Sequence, residues 1–305
     1  MRIRPLLAGV AGLAAIVATA APAAAIKYGQ PDGGEHPQVG FMLAYVWDDV
    51  DGDGEQTDDE LFAAWRCSGT LMDEDTFLTA GHCTSGADAV AIWFDENLEP
   101  LRVSQSFFTL EDAIDSQNPN QAAAYSKNVL THPDYDDEAF YLHDVGVVDK
   151  LEWTNEQTVT TYGKLPELGY WDDQIAAKKK DRDRYESVGY GLQWSTPDRG
   201  LSPSNPNRRG DEGRWERLKA NGELIGYRTL GGGKDNDAYV VLTNNANTGG
   251  TCSGDSGGPT FIDNSDVVVA VTSFGVNSTC AGTSGVYRID TEDDLAFLRE
   301  YISVD

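Results

Sequence analysis

Basic residues are scarce in this sequence, whose 305 residues include 23 Lys and Arg against 50 Asp and Glu, a formal net charge of −27 at pH 7. Proteins that bind nucleic acid or anionic lipid use Lys and Arg to displace counterions from phosphate groups, so the deficit excludes both roles. Long apolar runs are also missing after the first 25 residues, and the sequence predicts no transmembrane helix there. With 40% hydrophobic residues, the chain is nevertheless apolar enough to fold.

Cysteines are few as well, and no two of them form a Cys-x-x-Cys pair. The four are Cys67, Cys83, Cys252 and Cys280, and His82 is the one histidine beside any of them. These spacings disfavour a zinc site. An even number of cysteines instead predicts two disulfides in an exported protein. Four cysteines can form two disulfides in three ways, and the sequence leaves all three open. The scheme that pairs 67 with 83 and 252 with 280 closes the shortest loops.

The N-terminus has the features of an export signal. Arg2 and Arg4 precede an apolar run from Leu6 to Ala20, and Ala23-Ala24-Ala25 has the small residues that a signal peptidase needs. We expect residues 1–25 to be a signal peptide and the mature protein to be secreted and extracellular. The mature chain keeps 21 basic and 50 acidic residues, a net charge of −29.

The rest of the sequence has the pattern of an all-β protein. Short runs rich in β-branched and aromatic residues recur between Gly, Asp and Asn clusters, which indicates strands separated by turns. The runs are 39–47, 89–94, 144–148, 239–242, 267–274 and 285–289. One helix is predicted near the C-terminus, where Thr291 and Asp294 form a capping box before Leu295 and Leu298. The stretch 194–234, rich in Gly, Pro, Asn and Arg, indicates a surface loop.

The segment TCSGDSGGP (residues 251–259) places Ser256 among glycines. A serine hydroxyl is a good nucleophile only when a base takes its proton and hydrogen-bond donors stabilise the oxyanion. A plain glycine-rich turn is one alternative interpretation, and the Gly-x-Ser-x-Gly elbow of α/β-hydrolases is another. The elbow is excluded because that fold places its histidine after the serine. All four histidines here precede Ser256: His36, His82, His132 and His143.

Two further segments place polar residues where catalysis could use them. LTAGHC (78–83) sets His82 beside a cysteine, and HDVGVV (143–148) opens an apolar strand with Asp144. A buried aspartate is costly unless it is hydrogen-bonded, and orienting an imidazole satisfies it. Together with the Ser256 segment, in the order His, Asp, Ser, these segments resemble the chymotrypsin-like (trypsin-fold) serine endopeptidases.

This resemblance implies an all-β fold of two packed antiparallel six-stranded β-barrels with a C-terminal α-helix. Residues 26–165 are expected to form the first barrel and residues 166–305 the second barrel with the helix. The resemblance also implies that His82 is the general base, that Asp144 orients it and that Ser256 is the nucleophile. The backbone N–H groups of Gly254 and Ser256 match the family's oxyanion hole. The chemistry requires no cofactor, and the substrates are polypeptides.

The resemblance further assigns the substrate-binding residues. The matching positions are Gly250, Thr251, Ser273, Phe274, Gly275 and Gly285. Residues 273–275 correspond to the strand that pairs with an extended peptide. The pocket for P1, the residue just before the scissile bond, has Gly250 at its base and Gly275 and Gly285 on its walls. Because these residues are small and uncharged, we expect a large apolar or aromatic P1 side chain.

Activation in this family occurs when a new N-terminal Ile or Val pairs with the Asp before the nucleophile, here Asp255. Signal cleavage after Ala25 would itself expose Ile26, so we expect secretion and activation to be one step. Two features leave open the alternative that activation requires the removal of a short prosegment. Lys27-Tyr28-Gly29 departs from the family's usual Val-Gly-Gly, and cleavage after Ala20 would leave a five-residue prosegment.

An acidic insertion from Asp49 to Glu60 also departs from the family pattern. Its twelve residues, DVDGDGEQTDDE, match a calcium-binding loop, with acids at positions 1, 3, 5 and 12 and Gly at position 6. The candidate calcium ligands are Asp49, Asp51, Asp53, Glu55 and Glu60. The flanking runs indicate strands, so this is not an EF-hand. A solvated acidic hairpin is the alternative interpretation.

The sequence therefore predicts a secreted, monomeric serine endopeptidase. A catalytically silent binding module of the same fold is one alternative, and the intact set of His82, Asp144 and Ser256 argues against it. A secreted esterase that uses the same three residues is another alternative. Turnover of small esters without proteolysis would favour the esterase.

Overall fold

The computed structural model describes residues 26–105, 107–115, 122–156, 158–195, 211–212, 214–228, 239–275 and 280–303. The predicted signal peptide lies outside these residues, as does part of the 194–234 stretch. In the described part of the chain, no helix is long and apolar enough to cross a membrane.

Strands make up most of the regular structure. In chain order they are β1 (Gln30–Pro31), β2 (Val39–Trp47), β3 (Leu61–Leu71), β4 (Phe77–Thr79), β5 (Ala89–Trp93), β6 (Ala123–Ser126), β7 (Asn128–Thr131), β8 (Gly146–Asp149), β9 (Glu152–Trp153), β10 (Tyr185–Gly189), β11 (Trp194–Ser195), β12 (Asp211–Glu212), β13 (Leu218–Gly222), β14 (Leu224–Arg228), β15 (Tyr239–Asn244), β16 (Pro259–Ile262), β17 (Val268–Gly275) and β18 (Gly282–Arg288). The helices are short: α1 (Gly81–Thr84), α2 (Glu99–Ser104), α3 (Leu110–Asp115), α4 (Tyr170–Ala176) and α5 (Glu292–Leu298).

Two antiparallel sheets of eight strands carry the fold. The first has the order β7-β8-β4-β3-β2-β5-β6-β9, and the second has the order β1-β13-β10-β16-β17-β18-β15-β14. The predicted architecture of two packed antiparallel β-units with a C-terminal helix is confirmed. Each sheet contains eight strands rather than six because short strands, such as β1 and β9, extend its edges.

One hydrophobic core joins the two sheets. β2 is buried over most of its length because it lies in the interior of the first sheet, between β3 and β5. Phe41 and Phe77 of the first sheet belong to the same buried cluster as Phe261 and Val271 of the second. A smaller cluster surrounds Trp171 of α4. The two sheets therefore pack as one body.

A buried arginine spans the junction between the sheets. Arg217 is 2% exposed, and its Nε donates to the Asp32 carboxylate at 3.0 Å. Its Nη1 donates to the carbonyls of Val39 and Phe94 and to the Tyr190 hydroxyl at 2.8 to 3.2 Å. Val39 is in β2 and Phe94 follows β5, both in the first sheet. Asp32 follows β1 and Tyr190 follows β10, both in the second sheet. One guanidinium group is thus hydrogen-bonded to residues in or next to strands of both sheets.

The C-terminal helix begins with the predicted cap. The Thr291 side chain accepts a hydrogen bond from the Asp294 backbone N–H, and Leu295 and Leu298 are buried. The predicted strand runs also agree with the observed strands to within three residues. The local patterns of the sequence were therefore sufficient to predict this helix and these strands.

The interpretation of 194–234 as a surface loop is wrong where the chain is described, because β13 and β14 lie there. β13 does alternate buried Leu218 and Ala220 with the less buried Lys219, but a strand of only five residues without β-branched or aromatic side chains gives a weak signal. Pairing with β1 and β10 stabilises the strand, and that pairing is a tertiary property. The sequence also gave no sign of the seven-residue α4.

We predict that Arg217→Ala lowers the free energy of unfolding by about 3–5 kcal/mol, because it leaves the Asp32 carboxylate buried without its cation. Urea denaturation of the purified protein measures the change. Arg102→Ala is the matched control, since Arg102 pairs with Glu99 at the surface and should cost at most about 1 kcal/mol. Equal losses in the two variants would contradict the role assigned to Arg217.

Candidate active site

His82 and Asp144 meet at the end of two paired strands. β4 pairs with β8, so α1, which begins two residues after β4, lies next to the residues that lead into β8. His82 Nδ1 is 3.0 Å from both carboxylate oxygens of Asp144, and the His82 backbone N–H donates to the same carboxylate at 2.9 Å. The Cys67–Cys83 disulfide ties α1 to β3. The imidazole therefore has a fixed position and orientation.

Asp144 is fully buried and has a third partner that the sequence did not predict. The Ser273 hydroxyl, on β17 of the second sheet, donates to its Oδ2 at 2.5 Å. Ser273 was predicted only as part of the peptide-pairing strand. Its hydroxyl links the His82–Asp144 pair of the first sheet to the second sheet.

The carboxylate also changes the acidity of His82. Burial of the imidazole lowers its pKa, but the hydrogen bond and charge of Asp144 raise it by more. The net pKa of His82 therefore lies above its ordinary value of 6.5. A neutral histidine with a raised pKa is a better proton acceptor, as a general base requires.

The turn that carries Ser256 is attached to β3. The backbone N–H of Ser68 donates to the Ser256 carbonyl at 2.7 Å, and the Ser68 hydroxyl donates to the Gly254 carbonyl at 3.0 Å. Two hydrogen bonds from one residue hold the backbone on both sides of Asp255. The turn is thus positioned by the first sheet, although its residues follow a strand of the second.

Gly257 allows this turn to approach β4. Its φ of +76° suits glycine, and a Cβ atom there would lie 2.0 Å from Thr79 Oγ1 and 2.7 Å from the Ala80 backbone nitrogen. Thr79 and Ala80 lead directly into α1, so the close approach brings the Ser256 turn beside His82. The hydrogen bonds of the described residues include none between the Ser256 hydroxyl and the His82 imidazole. Such bonds often tighten only when substrate binds.

Asp255 is fully buried beneath the turn. Its carboxylate accepts hydrogen bonds from the backbone N–H groups of Gly191 at 2.7 Å and Cys252 at 2.8 Å. Burial raises the pKa of Asp255 to about 7, against the opposing effect of these bonds and of the Arg66 charge. Ile26, its predicted partner, packs in a separate buried cluster with Leu218 and Ala220. Because Ile26 is preceded by residue 25 in this chain, it has no free ammonium group, and the Ile26–Asp255 pair stays a prediction.

A cavity of about 350 Å³ opens beside Ser256. Its lining residues are Thr251, Cys252, Ser253, Gly254, Ser256, Thr272, Ser273, Phe274, Gly275 and Cys280. Four of the six predicted substrate-binding residues, at positions 251 and 273–275, are among them. The Cys252–Cys280 disulfide closes one side. None of the described lining residues carries a charge.

Gly250 and Gly285 do not line this cavity. A Cβ atom on Gly250 would lie 2.2 Å from Cγ of Asn244, a buried residue that the sequence analysis did not identify. A Cβ on Gly285 would lie 2.8 to 3.0 Å from three ring atoms of Phe274. Side chains of neighbouring strands therefore cover both glycines, which spacing relative to Ser256 could not reveal.

The acidic insertion forms the connection between β2 and β3, as the sequence indicated. Carboxylate oxygens of Asp49, Asp51 and Asp53 lie within 4.8 Å of one another. The Glu60 carboxylate is buried, and it accepts hydrogen bonds from the backbone N–H groups of Val50 and Asp51. Glu55 is exposed, and its N–H donates to Asp53. Three of the five candidate calcium ligands thus form a carboxylate cluster, and hydrogen bonds connect Glu55 and Glu60 to the same loop.

Comparisons with known proteins agree with this geometry. The model of the protein family described as Trypsin matches residues 56–291. No curated protein sequence matches the chain. The solved structure of HL collagenase at 1.7 Å resolution has a TM-score of 0.58 and 15% identity, with 92% of this chain and 100% of that chain covered. Human heparin binding protein has a TM-score of 0.54 and 17% identity, with 89% and 95% covered. At these identities, both structures show a shared fold alone.

We predict that Asp144→Asn lowers the pKa of His82, because the variant loses the carboxylate charge. In the native chain, the raised pKa stabilises the fold fully below pH 6.5, and this stabilisation is lost as the pH rises through the folded-state value. NMR titration of labelled histidine measures the pKa, and His82→Gln identifies the signal. Asp263→Asn is the control and should leave it unchanged. An unaltered His82 titration in Asp144→Asn would refute the prediction.

Proposed function

The chain belongs to the trypsin family of chymotrypsin-like serine proteases, and on that premise we propose that it is a secreted serine endopeptidase that works through an acyl-enzyme. One observation carries the proposal. His82, Asp144 and Ser273 form a hydrogen-bonded network beside a Ser256 turn that both sheets position.

Each residue of the triad has a separate role in the proposed mechanism. His82 takes the Ser256 proton as Oγ bonds to the substrate carbonyl carbon. Asp144 keeps the proton of the imidazole on Nδ1 and stabilises the imidazolium that forms. His82 then gives the proton to the leaving amine as the C–N bond breaks. Water, deprotonated by His82, hydrolyses the resulting ester and restores Ser256.

The oxyanion of the tetrahedral intermediate is the second requirement. We assign its hydrogen bonds to the backbone N–H groups of Gly254 and Ser256. Such donors are effective only when their positions are fixed before the reaction. The hydrogen bonds from Ser68 to the carbonyls of these residues supply that rigidity. Buried Asp255 supports the same turn from below.

The uncharged cavity beside Ser256 supports a preference for large apolar or aromatic P1 side chains. No described residue on its wall offers a charge to a P1 Lys, Arg, Asp or Glu. Burying an ionised side chain without a partner is costly, whereas burying an apolar one is favourable. A peptide library cleaved mainly after Lys or Arg would contradict this assignment.

Secretion and activation form one step in this proposal. Signal cleavage after Ala25 gives Ile26 a free ammonium group, which then pairs with Asp255. The buried position of Ile26 beside Leu218, and the bridge between Lys27 and Gly250, already bring this segment to the second sheet near the Ser256 turn. Pairing would offset the cost of ionising a carboxyl group whose pKa burial has raised to about 7.

We predict that a fluorophosphonate probe labels the secreted protein once, on a chain that begins at Ile26. Intact mass before and after labelling measures both features, and Ser256→Ala should abolish the labelling. In that variant, peptide turnover should fall by about 10⁴- to 10⁶-fold, since only binding and oxyanion stabilisation remain.

Three other results of this experiment would count against parts of the proposal. An active chain that begins at Ala21 would overturn activation by signal cleavage. No labelling of correctly secreted protein would favour a silent binding module. Labelling with turnover of small esters but not of peptides would identify an esterase.

We also propose that the acidic loop binds one calcium ion through Asp49, Asp51, Asp53, Glu55 and Glu60. Three carboxylates within 4.8 Å repel one another unless a cation lies between them. Calcium prefers six to eight oxygen ligands, which carboxylates, loop carbonyls and water together can supply.

Calcium is expected to raise the melting temperature relative to chelator, with little effect from magnesium. Ligand binding stabilises the folded state by mass action, so the shift should increase with calcium concentration. Differential scanning fluorimetry measures it. Asp51→Asn should reduce the shift, whereas Asp181→Asn, on an exposed acid outside the loop, should not. Equal melting temperatures with calcium and with chelator would leave the solvated hairpin as the correct interpretation.

A further inference from the structure

Arg66 is a partly buried cation to whose side chain no described residue is hydrogen-bonded. In a chain with 50 acidic residues, its guanidinium makes no hydrogen bond or ion pair with any described residue. The negative charge of Asp255 attracts the guanidinium, but the carboxylate oxygens of Asp255 are already hydrogen-bonded to backbone N–H groups. Burial lowers the pKa of Arg66 because the charged form has lost water. A carboxylate that reached this group would replace the lost solvation.

The side chain lies against the oxyanion turn. Arg66 and Ser68 are two residues apart in a regular part of β3, so they point to the same face of the sheet. Ser68 contacts the turn through its hydrogen bond to the Gly254 carbonyl. Arg66 reaches the same residue, since a Cβ on Gly254 would lie 3.1 Å from its Nε and 3.4 Å from its Cζ.

The position of Arg66 relative to the cavity indicates which side of the scissile bond would lie near it in a bound substrate. The cavity for P1 lies between residues 251–256 and β17, on one side of the Ser256 turn. Arg66 does not line that cavity, and it contacts Gly254 from β3. In an extended peptide with P1 in the cavity, the residues before the scissile bond pair with 273–275. The residues after the scissile bond then continue past the Ser256 turn, away from the cavity. We expect those residues to reach the β3 side of the turn, where Arg66 lies against Gly254.

We propose that Arg66 is a specificity-determining residue that binds a carboxylate of the substrate on the leaving-group side, within the first two residues after the scissile bond. The inference rests on the proposed peptidase function and names a substrate class for it. A planar guanidinium can hold a carboxylate through two parallel hydrogen bonds, which Lys cannot reproduce. The protein's net charge of −27 repels acidic peptides in general, so this local cation makes the recognition selective.

A purely structural role of Arg66 makes a different prediction. If its charge only stabilised Asp255, removing it would slow the cleavage of every peptide by the same factor. If it binds a substrate carboxylate, removal changes the ratio between acidic and neutral peptides. The selectivity ratio therefore separates the two roles.

The first test compares kcat/KM for peptides that share one preferred P1 residue and carry Asp or Asn at the first or second position after it. All peptides end in an amide. The native enzyme should prefer Asp at one of these positions by about tenfold, as expected for a charge-assisted hydrogen bond. Arg66→Gln should bring the ratio to about one, and Arg66→Lys should recover only part of it. Lys179→Gln, which removes an exposed charge paired with Glu223, should retain the native ratio.

A ratio that survives in Arg66→Gln, or that is one in the native enzyme, overturns the inference and leaves the peptidase function intact. A second test does not depend on turnover. In the Ser256→Ala background, fluorescence anisotropy measures binding of the same peptides, and the Asp peptide should bind about tenfold more tightly only when Arg66 is present. A peptide that ends in a free carboxylate two residues after P1 distinguishes a chain terminus from an acidic side chain. Equal binding of the Asp and Asn peptides in the anisotropy measurement would refute the inference even if no peptide is cleaved.

Discussion

The contact between the glycine-rich turn 254–258 and the first sheet is the constraint on which the candidate site depends. Ser68 bonds to the backbone on both sides of Asp255, and Gly257 lies so close to Thr79 that no side chain fits. This contact sets the distance between the Ser256 backbone and the strand that leads into α1. It also explains why the first sheet can position Ser256, which follows a strand of the second.

Buried carboxylates complete this junction. Asp144 joins His82 of the first sheet to Ser273 of the second, and Asp255 supports the Ser256 turn through the N–H of Cys252. A buried charge is tolerated only when several donors satisfy it. The geometry of the donors is therefore part of the stability of the fold, and the contacts of His82 and Ser273 with Asp144 cannot shift without leaving a carboxylate unsatisfied.

The sequence predicted much of this from local patterns. Strand runs and the Thr291 cap appear where alternation and capping residues indicate them, because such elements depend on nearby residues. β13 was missed because it is short and lacks β-branched and aromatic side chains, and because its stability comes from pairing with distant strands. Gly250 and Gly285 were expected on the pocket surface, but Asn244 and the Phe274 ring cover them. These are cross-strand contacts that no spacing along the chain encodes.

By itself, the sequence determined the all-β class and, through the segments around His82, Asp144 and Ser256 in that order, the family that they indicate. Short motifs are sufficient for these because each motif carries its own chemistry. The tertiary structure decided which groups surround the motifs. Ser273 bonds to Asp144, and Arg66 lies beside the Ser256 turn without a side-chain hydrogen bond to any described residue. Such properties depend on packing between residues far apart in the chain, and only the folded arrangement of the sheets fixes them.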